Sequence, residues 1–468
     1  MTSGSNAGGN SGGNSGARGR RMAHKARGNR PVRPVEASAQ SDEAADIGVE
    51  ARIAAGLLLN GALEKRGGLD EALSSPVVAA LPGPDRAFAR AVAMAALRRL
   101  GEIDQILDRR LQKAPPAPVR TLLRIALAQT LVLETPAFAA VSTAVKLAER
   151  DPKTRPYKNL VNAVLRGIDR DGPGMTSPTG NLPDWIAARW RATYGEAALL
   201  GLALAGRDEP PTDLSLKPGT EPATLAEGVE GSVLPGGTVR TARRGELAGW
   251  PDYEAGTWWV QDAAAAVPAR LLEVSAGQTV LDMCAAPGGK TLQLAAAGAS
   301  VVALDRSEVR LRRLRQNFER VGLDAEVVAI PAEDWDDPRT FDAVLLDAPC
   351  TATGTYRRNP EVLRATKPSE VAKLADVQHR LLDVAAERVK PGGRLVYCVC
   401  SLEREEGETQ IIAFLRRNPA FRTVPADPSK VGAPAEALIP EGWLRILPSM
   451  WADRGGVDGF FAARLERV

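Results

Sequence analysis

An all-α N-terminal region followed by a doubly wound α/β region is the architecture predicted by this 468-residue sequence. Three observations carry that reading. Apolar residues recur at helical spacing from about residue 47 to 172, and short apolar runs alternate with helical stretches after Trp258-Trp259. Between them lies a stretch at 173–182 with Pro173, Gly174, Ser177, Pro178 and Gly180, the composition of a linker. Length allows two or three domains, at ~150 residues each.

Residues 1–46 are Gly, Ser, Asn and Arg with almost no apolar content, so they cannot offset the entropy of ordering. The first 40 carry seven Lys/Arg against one Glu, although the whole chain is only +3. The expectation is a disordered basic tail, either solvated or in contact with RNA phosphates. Residues 47–172 follow as a compact helical domain of five to seven helices. Val49, Ile53, Ala54, Leu57 and Leu58 set the first period; Leu81-Pro-Gly-Pro84 and Ala114-Pro-Pro-Ala117 punctuate it. Lys146, Arg150, Lys153, Arg155, Lys158 and Arg166 form a basic cluster around Tyr157, read as a phosphate-contacting surface or a solvated helix face. Residues 173–250 read as linker, a helix from Trp185 to about Ala205, and a Gly/Pro-rich β-like segment.

Residues 251–468 hold the α/β pattern. Apolar runs at Thr279–Cys284, Val301–Asp305, Glu326–Ile330, Phe341–Asp347 and Arg394–Cys400 alternate with helices, notably Arg310–Val321 and Ser369–Val389. Leu444–Leu447 and Phe460–Leu465 are expected as an antiparallel hairpin on one sheet edge.

Composition removes several function classes. Four cysteines without a C-x-x-C pair argue against a disulfide scaffold, and two histidines, His24 and His379, against a zinc site or a Ser-His-Asp hydrolase. No run of 18 apolar residues appears and no signal-peptide core follows Met1. The expectation is a cytoplasmic monomer with neither membrane nor metal partner.

The first strand of the α/β region runs into Asp282-Met-Cys-Ala-Ala-Pro-Gly-Gly-Lys-Thr291. A strand, a Gly-rich turn and a helix bring backbone N–H groups close to a nucleotide. A P-loop is excluded, because the Gly it needs five residues before Gly289 is Cys284. The next strand ends at Asp305, where an acidic side chain would meet a ribose diol. These features together indicate a nucleoside cofactor.

These motifs, with Asp347-Ala-Pro-Cys350 and Cys400-Ser401, resemble those of the RNA cytosine-5 methyltransferases, which use S-adenosylmethionine on a Rossmann-like class I methyltransferase fold. The helical region, through Asp85-Arg-Ala-Phe-Ala-Arg90 and Val161-Asn-Ala-Val-Leu-Arg166, resembles a NusB-type RNA-binding domain; the combination is similar to bacterial 16S ribosomal RNA enzymes of the RsmB (Sun/Fmu) type. The resemblance implies that Cys284, Ala285, Ala286, Pro287, Gly288, Gly289 and Lys290 wrap the cofactor. It also implies that Asp305 holds the ribose, that Arg310 joins the site, and that Asp347 lies beside the methionine part. The adenine-contacting carboxylate falls on Asp334 or Glu333, since Pro331 stands where the family motif opens with Asp. Asn359-Pro-Glu361 and Val399 are further departures.

Cytosine C5 is a poor nucleophile, so its methylation calls for a thiolate adding to C6 and a base removing the C5 proton. Cys398 and Cys400 end one strand on a shared face, and periodicity alone does not separate them. The resemblance assigns the nucleophile to Cys400, before Ser401, and makes Cys350 the releasing group; Cys398 is then a small apolar filler. Asp347 is expected at the cytosine N3/N4 edge, with Lys290 orienting Asp347 or the substrate, or serving structure. Arg357-Arg358 reads as an RNA phosphate clamp or a surface charge run. A tRNA cytosine-5 methyltransferase shares the catalytic motifs, and a non-catalytic RNA-binding factor is the alternative from another class.

Overall fold

The computed structural model describes residues 36–64 and 68–468. Contacts divide the chain into Met1–Asp46 and Ile47–Val468. Of the first unit only residues 36–46 are described, within a helix spanning Glu36–Glu64 that starts ahead of the expected helical boundary. The basic stretch 18–33 lies outside the described residues.

Helices follow at Gly68–Leu73, Pro76–Ala79, Gly83–Arg98, Leu100–Arg110, Ala117–Leu131, Ala137–Arg150 and Lys158–Asp171. That makes eight among the described residues, beyond the expected five to seven, because two short helices occupy 68–79. Amphipathic spacing explains their packing. In Lys158–Asp171 the buried residues are Val161, Val164, Leu165 and Ile168, one stripe against the core of Leu107, Leu123 and Leu127.

The expected linker is strapped down. Asn181 donates to Glu102 at 2.7 Å and accepts the Glu102 N–H at 3.0 Å, and Arg109 donates to the carbonyls of Pro173 and Met175. Gly101 is needed there, since a Cβ would lie 1.7 Å from the Gly180 carbonyl oxygen. The next helix, Asp184–Ala205, breaks at Gly195.

A small antiparallel sheet comes next: β1 (Thr212–Leu216), β2 (Gly231–Val233), β3 (Val239–Thr241) and β4 (Trp258–Val260), in the order β2-β3-β1-β4. It closes on Leu214, Val239, Trp250 and Trp258. The large sheet contains β5 (Thr279–Met283), β6 (Ser300–Leu304), β7 (Glu326–Val328), β8 (Phe341–Asp347), β9 (Val389–Val399), β10 (Phe421–Thr423), β11 (Leu444–Ile446) and β12 (Phe460–Arg467). Its order is β7-β6-β5-β8-β9-β12, with β10 and β11 both pairing β12. Strands β5 to β9 are parallel and β12 is antiparallel to β9, so the expected β11–β12 pairing is present.

The strands read as unbroken apolar runs because both faces are covered. Leu281, Leu346 and Tyr397 face a core with Leu381 and Leu382, whereas Val280, Leu345 and Val396 face Leu271 and Leu294. The chain leaves β5 for β6 and β7 on one side, then returns to β8 and β9 on the other. The ends of β5 and β8 therefore flank the switch point where ligands bind such sheets.

Candidate active site

A cavity of about 320 Å³ opens at that switch point, lined by residues that include Cys284, Asp305, Ile330, Asp347, Cys350 and Cys400. The loop after β5 shapes one wall. Gly288 caps helix Gly289–Ala296 at φ 103°, where a Cβ would approach the Leu314 side chain to 2.8 Å. Of this loop Cys284 faces the cavity, Ala285 and Ala286 pack into the core under helix Glu308–Val321, and Pro287 is exposed.

Asp305, buried just past β6, accepts the N–H of Ala286 at 3.1 Å and of Ser307 at 2.8 Å. Arg310 lies 3.5 Å from its carboxylate and donates to the Ala286 carbonyl. A carboxylate has about four lone-pair sites, so Asp305 keeps capacity for hydroxyl donors from a ribose. Ile330, Pro331, Ala332 and Glu333, just beyond β7, form a mostly apolar wall of the kind an adenine requires. Asp334 is exposed and does not line the cavity. The donor set fits S-adenosylmethionine.

The opposite end carries the thiols. Cys350 follows β8, Cys400 follows β9, and their sulfurs are 3.6 Å apart. Asp347, the last residue of β8, is held at both oxygens: Lys290 donates to Oδ2 at 2.8 Å and the Cys398 thiol to Oδ1 at 3.4 Å. Lys290 is thus in direct contact with Asp347. Its Nζ also sits 5.0 Å above the Phe460 ring. Burial works to lower the Lys290 pKa, but the charge of Asp347 prevails and raises it. The hydrogen bond with Cys400, then burial, pushes the Cys350 thiol up; burial, then Asp347, does the same to Cys398. Burial above all raises Cys284 as well.

Two sequence readings are corrected. Cys398 is not merely an apolar filler, since its thiol faces a carboxylate oxygen. Arg357 and Arg358 form neither a phosphate clamp nor a surface run. Arg357 is buried, donating to the Gly455 carbonyl and facing Asp458, and Arg358 pairs with Asp262 at 2.6 Å and Asp458 at 3.2 Å. Their acidic partners lie about a hundred residues away, which a local charge pattern does not reveal.

Sequence reasoning also missed two buried carboxyls. Asp282 receives the Thr291 hydroxyl at 2.6 Å, leaves Oδ1 without a partner, and is pushed up to about 7 by burial. Its signal was a carboxyl inside an apolar strand run. Glu406 receives hydrogen bonds from Thr351, Ser401 and Gln378, and its signal was the acidic run directly after Cys400-Ser401.

This fold and cavity define a class I S-adenosylmethionine-dependent methyltransferase. A family model described as 16S rRNA methyltransferase RsmB/F matches residues 269–466, and the NusB family model matches 49–170. Curated relatives named "Ribosomal RNA small subunit methyltransferase B" include that of Xanthomonas campestris, 34% identical over 91% of this chain and 99% of its own length. That of Thermus thermophilus is 35% identical over 86% and 94%. Among solved structures, PH0851 superposes with a TM-score of 0.69 at 24% identity, over 90% of this chain and 98% of its own. NSun6 from Pyrococcus horikoshii, solved with SFG, gives 0.52 at 19% identity over 61% and 98%. The chain belongs to the RsmB/F family of 16S ribosomal RNA methyltransferases, joined to a NusB-family helical region.

Proposed function

We propose that this protein, a cytoplasmic monomer, methylates C5 of a cytosine in 16S ribosomal RNA through a covalent cysteine adduct. The observation that carries the reading is the pair of thiols at neighbouring strand ends, 3.6 Å apart beside Asp347 in one cavity. The names of the curated relatives support ribosomal RNA as substrate.

Asp305, the 284–290 loop with Arg310, and the 330–333 wall would hold S-adenosylmethionine, which would supply an electrophilic methyl group and leave as S-adenosylhomocysteine. The Cys400 thiolate adds to C6 of a cytosine extruded from its stack, which makes C5 nucleophilic. Asp347, fixed at both oxygens by Lys290 and Cys398, meets the N3/N4 edge and stabilises the adduct. Once Cys400 is bound to C6 and no longer a charged neighbour, Cys350 acts as the thiolate and takes the C5 proton after methylation. The C5–C6 double bond re-forms and the Cys400–C6 bond breaks, returning Cys400 as the thiolate. Proton-transfer groups contribute ~10²–10⁴-fold, which sets the loss expected without Cys350.

The thiols separate in one experiment. Cys400→Ala should abolish methylation and form no adduct. Cys350→Ala should attack and methylate but fail to eliminate, leaving RNA-linked enzyme that survives denaturing gels. Trapping by Cys400→Ala would reverse the roles. An inactive Cys398→Ala, with neither other variant trapping RNA, would move the nucleophile to Cys398. Bisulfite sequencing of 16S RNA and tRNA from a deletion strain identifies the substrate: loss confined to a tRNA would overturn the ribosomal assignment.

A further inference from the structure

The loops that carry the two thiols meet on one carboxylate. Glu406 is fully buried. Its Oε1 accepts the Thr351 N–H at 2.9 Å and the Gln378 side-chain amide at 3.2 Å, and its Oε2 accepts the hydroxyls of Thr351 and Ser401. Thr351 follows Cys350 directly, and Ser401 follows Cys400. Gln378, on helix Pro368–Glu387, also donates to the Pro349 carbonyl at 2.9 Å, so both chain neighbours of Cys350 are held. The Tyr397 hydroxyl donates to the Glu406 main-chain carbonyl, tying Glu406 to β9, which Cys400 follows. Leu402 N–H donates to the Thr353 hydroxyl at 3.0 Å and completes the bridge between the loops.

We propose that Glu406 is a positioning residue that sets the separation and facing of the Cys350 and Cys400 thiols for methyl transfer and release. The inference rests on the two-thiol reading above. Removing the carboxylate strands two hydroxyls and an N–H that bracket the sulfurs, in a site where polar groups have no water to turn to. The loops then relax independently, and a displacement of about 1 Å at reacting atoms can cost ~10²-fold in rate. Glu406→Gln is the conservative variant. Its amide oxygen still accepts from Thr351 N–H, and its NH₂ group can donate to the two hydroxyl oxygens.

The test uses the full chain equilibrated with reduced and oxidised glutathione. As the Cys350–Cys400 disulfide forms, two electrons and two protons pass to glutathione disulfide, giving two glutathione thiols; peptide mapping quantifies the pair. Its equilibrium constant is the effective concentration of one thiol at the other. Glu406→Ala should lower that constant by at least about tenfold and kcat by ~10²-fold, with KM for RNA little changed. Glu406→Gln should restore both. Thr351→Val keeps the backbone bond but loses the hydroxyl, should shift both readouts in the same direction by less, and carries the test if Glu406→Ala does not fold. An unchanged thiol constant in Glu406→Ala and Thr351→Val would overturn the clamp. A lowered constant with unchanged turnover would instead overturn the two-thiol reading, and the catalytic role of Glu406 with it.

Discussion

Asp305 organises its loop before it meets any ligand, which is why its loss should register in binding. With Ala286 and Ser307 N–H already on the carboxylate, Asp305→Ala removes a loop anchor and a diol acceptor together. Calorimetry should show S-adenosylmethionine affinity weaker by ~1–3 kcal/mol; unchanged affinity would remove Asp305 from the site. On the wall beyond β7 Glu333 lines the cavity and Asp334 does not, so Glu333→Ala should cost affinity in the same titration and Asp334→Ala should leave it intact. Asp282 gives a pH signature. Its folded pKa, about 7, lies above the ~3.9 of an unfolded aspartate. The folded state therefore binds more protons between those values, and stability present below pH ~4 is lost as pH rises to about 7, a few kcal/mol in all. Asp282→Asn keeps an acceptor for Thr291 and should flatten that slope in denaturant titrations at successive pH values. The placing of Asp305, Asp347, Cys350 and Cys400 on one cavity was legible because each closes or follows a strand run whose end faces the crevice. The Cys398–Asp347 contact and Glu406 were not, since both depend on which side chains meet across strands rather than along one.

At the level of elements, the parallel strands could be read because each is a short apolar run closed by a polar or Gly-rich end, and β8 was placed to the residue. Strand β9 begins at Val389, earlier than expected, because Val389 pairs with Phe341 before Lys390-Pro-Gly-Gly393 interrupts the ladder, which resumes where Arg394 pairs with Ala343. The three-residue strands β2, β3 and β4 left no period to detect, having too few residues to alternate. Composition marks 173–182 as a linker but carries no sign that Asn181 fixes the segment to Glu102. A Cβ at residue 101 would force that segment away from helix Leu100–Arg110, so Gly101→Ala should destabilise by ~1–3 kcal/mol and expose 173–182 to proteolysis. Helix Asp184–Ala205 has a comparable anchor. Trp190 donates its indole N–H to Glu403 at 2.9 Å and Arg189 pairs with it at 2.7 Å, just beyond the Cys400 loop. Glu403→Ala leaves a buried indole N–H without an acceptor and should lower stability by ~1–3 kcal/mol in urea unfolding.

Across the whole molecule, buried and half-buried arginines join regions that sequence reading kept apart. Arg98 of the helical region donates to the Arg357 carbonyl, Arg207 reaches Glu102, and Arg364 donates to the Asn181 carbonyl at 2.8 Å. Residues 47–468 should therefore unfold in one calorimetric transition, and two well-separated transitions would contradict this docking. The centre of the network is Arg358, which faces Asp262 at 2.6 Å, Asp458 at 3.2 Å and Asp213 at 3.9 Å. Those carboxylates cap helix Ala263–Leu271, anchor the chain before β12 and brace β1 against Arg240. Burial and the neighbouring Asp262 already push Asp458 up to about 7, with Arg358 and Arg357 opposing that rise. Arg358→Ala removes the cation closest to Asp262 and Asp458, so Asp458 must take up a proton or the cluster must open. Breaking a buried pair from one side typically costs about 3–5 kcal/mol. The variant should lose that much in denaturant unfolding, and the loss should shrink toward pH 5 as Asp458 becomes protonated. A loss independent of pH would mean that Arg358 contributes packing alone.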